Sequence, residues 1–257
     1  MKIDVPEDVR RQLDACVEVI RSRVPGLVAI YLHGSICLGE FVPGKSDIDL
    51  LVICSEPMDA GCRASFADAL LEVHRKPCKL ELSVIMEDDL RSTPVMCQFH
   101  FSELWAGRYA AHDESNPLLH GPFPDDDIPS YIRLVRQQGI VLYGSPPDGV
   151  LPVITDEQFR QAIAADIDAF AFEAYGMFDS NILTLARILS FIRTGKIMTK
   201  VQGARWAMAQ YPRFRPLLEQ AVDAYLNDVH RPYNDVQLSE YKAFLTEEIR
   251  RGLGDTP

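Results

Sequence analysis

The sequence predicts an α+β chain, a mixed sheet flanked by helices over 1–150 followed by an all-helical bundle over 151–257. Three observations carry this expectation. Short β-branched runs alternate with amphipathic segments in the first half, and two stretches rich in proline and glycine, at 112–130 and 143–152, interrupt the chain near its middle. From residue 155 onward apolar residues recur at helical spacing. A length of 257 residues suits two modest domains.

Taken in order, residues 8–22 place Val9, Leu13, Val17 and Ile20 three or four apart with charged residues between them, the pattern of an amphipathic helix that Pro25 and Gly26 end. LVAIYLHGS and DIDLLVIC read as two buried strands joined by a turn-rich loop at 42–46. Residues 63–76 form a helix with Phe66, Leu70, Leu71 and Val73 on one side. The segment 79–86 is a third strand, with Leu80, Leu82 and Val84 inward and Glu81 and Ser83 opposite. Both proline-rich stretches are expected to be connectors. Helices are then predicted from Thr155 (Phe159, Ile163, Ile167, Phe170) and over about 181–193, 199–210, 214–226 and 236–251.

Composition narrows the function. The 26 Lys and Arg against 37 Asp and Glu give a formal net charge of −11, which opposes wrapping a nucleic acid, because phosphate neutralisation needs a basic surface, and suits a cationic small molecule. No apolar run approaches the roughly 20 residues that cross a bilayer, and MKIDVPEDVRRQ has no apolar stretch to serve as a signal peptide, so a cytoplasmic protein without a membrane partner is expected. Six cysteines fall in the first 97 residues without a CxxC pair, which predicts neither a zinc site nor a disulfide framework.

Chemistry concentrates at Gly34-Ser35 and, after eleven intervening residues, Asp47-Ile48-Asp49. Two residues apart in an extended segment, both carboxylates leave one face while Ile48 and Leu50 enter the core. Stacked acids repel unless a cation lies between them, and Mg²⁺ is commonly held by one or two carboxylates together with substrate phosphates. Glu81 is the natural third carboxylate. Gly34 permits close backbone approach, and Ser35 offers a hydroxyl and an N–H to phosphate oxygens. The residues alone support either a metal-assisted phosphoryl site or a solvated acid pair at a strand end beside a plain turn.

The string YLHGSICLGEFVPGKSDIDLLVI, with the carboxylate of LELSVI, resembles the signature of the nucleotidyltransferase superfamily with the DNA polymerase β-like fold. NILTLARILSFIRTGKIMTKVQGARWAMAQYP resembles the helical C-terminal domain of aminoglycoside nucleotidyltransferases of the streptomycin/spectinomycin adenylyltransferase type, and the likeness spans about 28–250. That resemblance implies a nucleotidyltransferase domain binding metal and triphosphate, and a helical domain closing the cleft for nucleotide and acceptor. It implies Mg²⁺, two ions, on Asp47 and Asp49, a triphosphate contacted at Gly34, Ser35 and Ser46, and Glu81 as catalytic base. It further implies ATP contacts at Arg187, Lys200 and Tyr225.

The reaction implied is transfer of AMP from ATP to an aminoglycoside hydroxyl with release of pyrophosphate, by a monomer. Acceptor transfer to a protein or another sugar, or a non-catalytic nucleotide-binding, antitoxin-like relative, are the competing readings. A polycationic acceptor calls for carboxylates and aromatic faces. Candidates are Glu103, Trp105, Glu173 and Asp179, with Glu81 facing the reacting hydroxyl. Glu103 and Asp179 could equally be solvated or cap helices, and Trp105 and Trp206 could be core aromatics. Streptomycin-modifying relatives carry an Asp and a His before the LTL segment, where this chain has Met177 and Ser180.

Overall fold

The computed structural model describes residues 4–169 and 178–254, and the chain divides into two compact units, Met1–Ile154 and Thr155–Pro257. In the first unit the order is α1 (Glu7–Arg23), β1 (Leu27–His33), α2 (Gly34–Leu38), β2 (Ile48–Cys54), α3 (Ala60–Val73) and β3 (Leu80–Met86). It continues with β4 (Met96–Phe101), α4 (Glu103–Ala110), β5 (Phe123–Pro124), α5 (Ile128–Gln138), β6 (Ile140–Gly144) and α6 (Pro147–Val150). The sheet order is β5-β4-β3-β2-β1-β6, with β2 and β3 parallel and every other pair antiparallel.

Alternation along the strands builds two apolar layers. Ile30, Leu32, Leu50, Val52, Leu82 and Val84 pack with Val9, Leu13 and Ile20 of α1 and Phe66 and Leu70 of α3. Ala29, Tyr31, Leu51, Ile53 and Ile85 pack instead with Ile128, Ile132 and Val135 of α5. Each fully buried valine, leucine, isoleucine or phenylalanine among them contributes roughly 1.5–3 kcal/mol. The turn that leads into β3 is fixed from below: the buried Gln12 amide donates to Val73 O and Cys78 O, both at 2.7 Å, and accepts from Cys78 N at 2.8 Å.

Several sequence expectations change. The helix expected over 63–76 starts at Ala60, because Asp59 caps it by accepting from Cys62 N at 2.7 Å. The connector expected over 112–130 contains β5 and the start of α5, whose Pro129 sits in the first turn, where a missing N–H costs nothing. The second connector holds the end of β6 and all of α6. The three expected strands become a six-stranded sheet, and Gly34-Ser35 begins a short helix rather than a plain turn.

The second unit is helical, as expected: α7 (Asp156–Ala169), α8 (Phe178–Thr194), α9 (Lys200–Gln210), α10 (Arg215–Asn227) and α11 (Asp235–Leu253). Helix α8 is central. Its Ile182, Leu185, Ala186 and Leu189 share one core with Ala204 and Ala207 of α9, Leu217, Leu218 and Ala221 of α10, and Tyr241, Leu245 and Ile249 of α11. Among the described residues no helix is long and apolar enough to cross a membrane. All six cysteines are free thiols.

Candidate active site

The site is built on one row of the sheet. Strand β2 begins at Ile48, so Asp47 stands one residue before it and Asp49 is its second residue. Both are half-buried and flank Ile48, which is fully buried. In register, His33 of β1 lies opposite Asp49, and Glu81 of β3 lies opposite Asp49 on the other side. Their side chains leave the α5 face, where Leu51 and Ile53 continue inward.

Gly34 follows His33 with φ +68°, the left-handed region, and a Cβ built on it would sit 1.8 Å from Asp49 Oδ2. Glycine is required at this point by both conformation and space. Ser35 Oγ is buried and has no hydrogen-bond partner among the described residues. Ser46, 7 % exposed, accepts Val42 N–H at 2.9 Å and so closes the turn that leads to Asp47.

Helix α5 adds residues that the sequence reading did not select. Tyr131 OH donates to Glu81 Oε1 at 2.9 Å, and its ring stacks on His33 with centroids 5.0 Å apart and planes at 27°. Burial, then the carboxylates of Glu81, Asp127 and Asp125, push the Tyr131 phenol well above its ordinary value, so it remains a donor. Burial, then Asp127, raises Asp125 to about 6, even though Asp127 N–H donates to Asp125 Oδ1 at 3.0 Å. Burial lowers His33 to about 3, leaving a neutral imidazole whose Nδ1 has no partner among the described residues. A detectable signal existed: Ile128, Tyr131, Ile132 and Val135 recur at helical spacing directly after DDD.

The chemistry of this row fits a hard divalent cation. Asp49 presents its carboxylate beside Gly34 with Asp47 two residues before it, Gly34 leaves the space beside Asp49 free of a side chain, and the Ser35 hydroxyl is an unspent donor. Among the described residues no group of three or more His, Cys, Asp or Glu side chains is arranged to hold an ion. Remaining ligands would then come from phosphate oxygens and water, which is the usual habit of Mg²⁺.

The other candidates divide. Glu103 is ion-paired with Arg75, whose Nε is 2.9 Å from Oε2, and hydrogen-bonded to His74 Nε2, also at 2.9 Å. Since His74 Nδ1 accepts Leu80 N–H at 3.1 Å, Nε2 carries the proton, and Glu103 braces the start of β3. Trp105 is half-buried against the main core, with the Arg108 guanidinium 5.4 Å from its ring centroid. Trp206 packs on the helical core and meets Tyr211 edge-on.

In the helical unit, a capping box between Thr199 and Gln202 starts α9 and sets Lys200 at its first position. Lys200 Nζ donates to Ser180 Oγ at 2.5 Å and lies 5.6 Å from the Tyr225 ring centroid. Helices α8 and α9 touch where a Cβ on Gly203 would meet Arg187 Cα at 2.6 Å, one turn from Lys200. Lys200 and Tyr225 are thus brought together, and Arg187 lies on α8 where Gly203 of α9 packs against it. Asp179 accepts from Tyr233 OH and lies 3.1 Å from His230 Nδ1, which ties it to the segment leading into α11. Glu173 and Met177 lie outside the described residues.

Two family models match successive parts of the chain. Residues 13–103 match the nucleotidyltransferase domain, and residues 149–248 match the aminoglycoside adenylyltransferase C-terminal domain. The chain is 27% identical over 267 positions to spectinomycin 9-adenylyltransferase of Campylobacter jejuni, covering 96% of this chain and 98% of that protein. It is likewise 27% identical over 271 positions to an aminoglycoside (3'') (9) adenylyltransferase of Shigella flexneri, covering 99% and 100%. In fold it is similar to the spectinomycin adenyltransferase AAD(9) from Enterococcus faecialis, crystallised with ATP and spectinomycin. That match has a TM-score of 0.82 at 20% identity and covers 94% of this chain and 99% of the other.

Proposed function

Since this chain belongs to the aminoglycoside nucleotidyltransferase family, we propose that it transfers AMP from ATP to a hydroxyl of a spectinomycin- or streptomycin-like aminoglycoside, releasing pyrophosphate. The observation that carries this reading is the register of Asp49 with Glu81 on adjacent parallel strands, with Asp47 beside them and Gly34 against the Asp49 carboxylate.

In this reading Asp47 and Asp49 hold Mg²⁺ together with the triphosphate. The bound ion would offset phosphate charge and stabilise the attacking and departing oxygens. Gly34, Ser35 and Ser46 give the triphosphate a close backbone and hydroxyl donors. Glu81 accepts the proton of the attacking hydroxyl, which requires an approach of about 2.6–3.2 Å, directly or through one water. Arg187 and Lys200 supply positive charge to the nucleotide, Arg as a two-pronged donor and Lys as a point charge, with Tyr225 offering a ring face. The carboxylates of Glu81, Asp125 and Asp127 suit a polycationic acceptor.

The test is pyrophosphate release from Mg²⁺-ATP across spectinomycin, streptomycin and other aminoglycosides, run beside Glu81→Gln. Release with one drug, abolished in the variant while ATP still binds, supports the reading. Silence across the panel with intact ATP binding moves the acceptor to a protein or another sugar, or makes the chain a binding module.

A further inference from the structure

We infer that Tyr131 is a positioning residue for Glu81, its hydroxyl fixing one carboxylate oxygen so that the other faces the acceptor hydroxyl. The inference rests on the reading of Glu81 as the base and extends it to a residue on a different element. Two contacts support it. Tyr131 OH lies 2.9 Å from Glu81 Oε1, and the same ring stacks on His33 at 5.0 Å. His33 and Glu81 flank Asp49 in register, so one aromatic side chain spans the row from β1 to β3.

Tyr131 is itself held firmly. Ile128, Ile132 and Val135 on the same side of α5 are fully or almost fully buried against the sheet, which fixes the helix that carries the ring. A glutamate on a strand has three rotatable side-chain bonds, and general-base catalysis requires its oxygen at hydrogen-bond distance from the proton it takes. With Oε1 engaged by Tyr131, Oε2 is the oxygen left to receive that proton. In the step served, the acceptor oxygen bonds to the α-phosphorus, the bond from that phosphorus to pyrophosphate breaks, and the acceptor proton passes to Glu81 Oε2.

Tyr131→Phe deletes the hydroxyl and keeps the ring on His33. The expected result is a fall in kcat of roughly tenfold, as for loss of one hydrogen bond to a charged group. KM for ATP and for the acceptor should stay within about twofold, and the melting temperature should match that of the unsubstituted chain. A merely structural tyrosine would not show the second signature: added to Glu81→Gln, Tyr131→Phe should lower the residual rate no further.

An unchanged kcat in Tyr131→Phe, or an equal loss in both backgrounds, overturns the positioning role while Glu81→Gln inactivity leaves the base assignment standing. Transfer that survives Glu81→Gln, or no transfer by the unsubstituted chain, overturns the base assignment and the inference with it.

Discussion

Gly34 and Asp49 are in contact so close that a single added carbon on the glycine would fall 1.8 Å from the aspartate's Oδ2. Gly34→Ala therefore has two costs. The left-handed backbone at φ +68° penalises alanine by roughly 1–2 kcal/mol, and the Asp49 carboxylate must move. Transfer should fall about a hundredfold, the scale of a displacement near 1 Å at reacting groups. The melting temperature should fall only modestly. Activity within a few-fold of the unsubstituted chain would show that the carboxylate position is not critical.

Asp49→Asn keeps the shape of the side chain and removes its charge. ATP titrated calorimetrically with Mg²⁺ and with chelator should bind more tightly with the ion in the unsubstituted chain. In Asp49→Asn and in Asp47→Asn that difference should shrink by about tenfold or more. Unchanged Mg²⁺ dependence in both variants would remove the ion from this strand.

Glu103 carries a pH signature of stability. The Arg75 hydrogen bond, with help from His74, holds its carboxyl at about 2. Because that lies below the unfolded value of about 4.3, the unfolded chain binds the extra proton between the two. The contribution is fully present above about pH 4.3 and is lost as pH falls through about 2. Glu103→Gln should therefore be less stable at pH 7, by about 1 kcal/mol after screening of a partly exposed pair, and the two proteins should converge on acidification. Urea unfolding at pH 7, 4.5 and 3 checks both sign and window.

Gly203→Ala tests the crossing of α8 and α9. Alanine favours a helix interior by up to about 1 kcal/mol over glycine, but here its Cβ would lie 2.6 Å from Arg187 Cα and 2.8 Å from Arg187 N. Backbone cannot yield as a side-chain tip can, so a net loss of about 1–3 kcal/mol is expected. A lower urea midpoint at constant slope would confirm it. A more stable variant would mean that the helices separate freely.

The legible parts of this protein are those in which function rides on a local period. Asp47 and Asp49 around Ile48, and Glu81 between Leu80 and Leu82, are strand alternation interrupted by acids, and the pattern survives in the fold. The five helices of the second unit follow from apolar spacing and terminal residues. Strand β4 is masked in the sequence because MCQFHF carries Gln98 and His100 among its apolar residues, and α5 because its Pro129 continues a run that reads as loop. Tyr131 meets Glu81 across 50 positions of chain, a pairing set by tertiary packing and invisible to any window. Glu103 and Asp179, offered as acceptor-binding acids, have their carboxylates engaged by Arg75 and His74, and by Tyr233 and His230.

The buried Gln12 amide and the turn it grips have a consequence for how this protein can change. Side chains along β3 alternate between the two faces, so dropping one residue between His74 and Lys79 would bring a leucine to the position opposite Asp49 and turn Glu81 toward α1 and α3. A single missing codon there would replace the carboxylate with a hydrocarbon without altering one letter of the motif. The length of this stretch is thus as much a part of the chemistry as the identity of any acid, and variants are best screened for in-frame deletions at 74–79 before point changes.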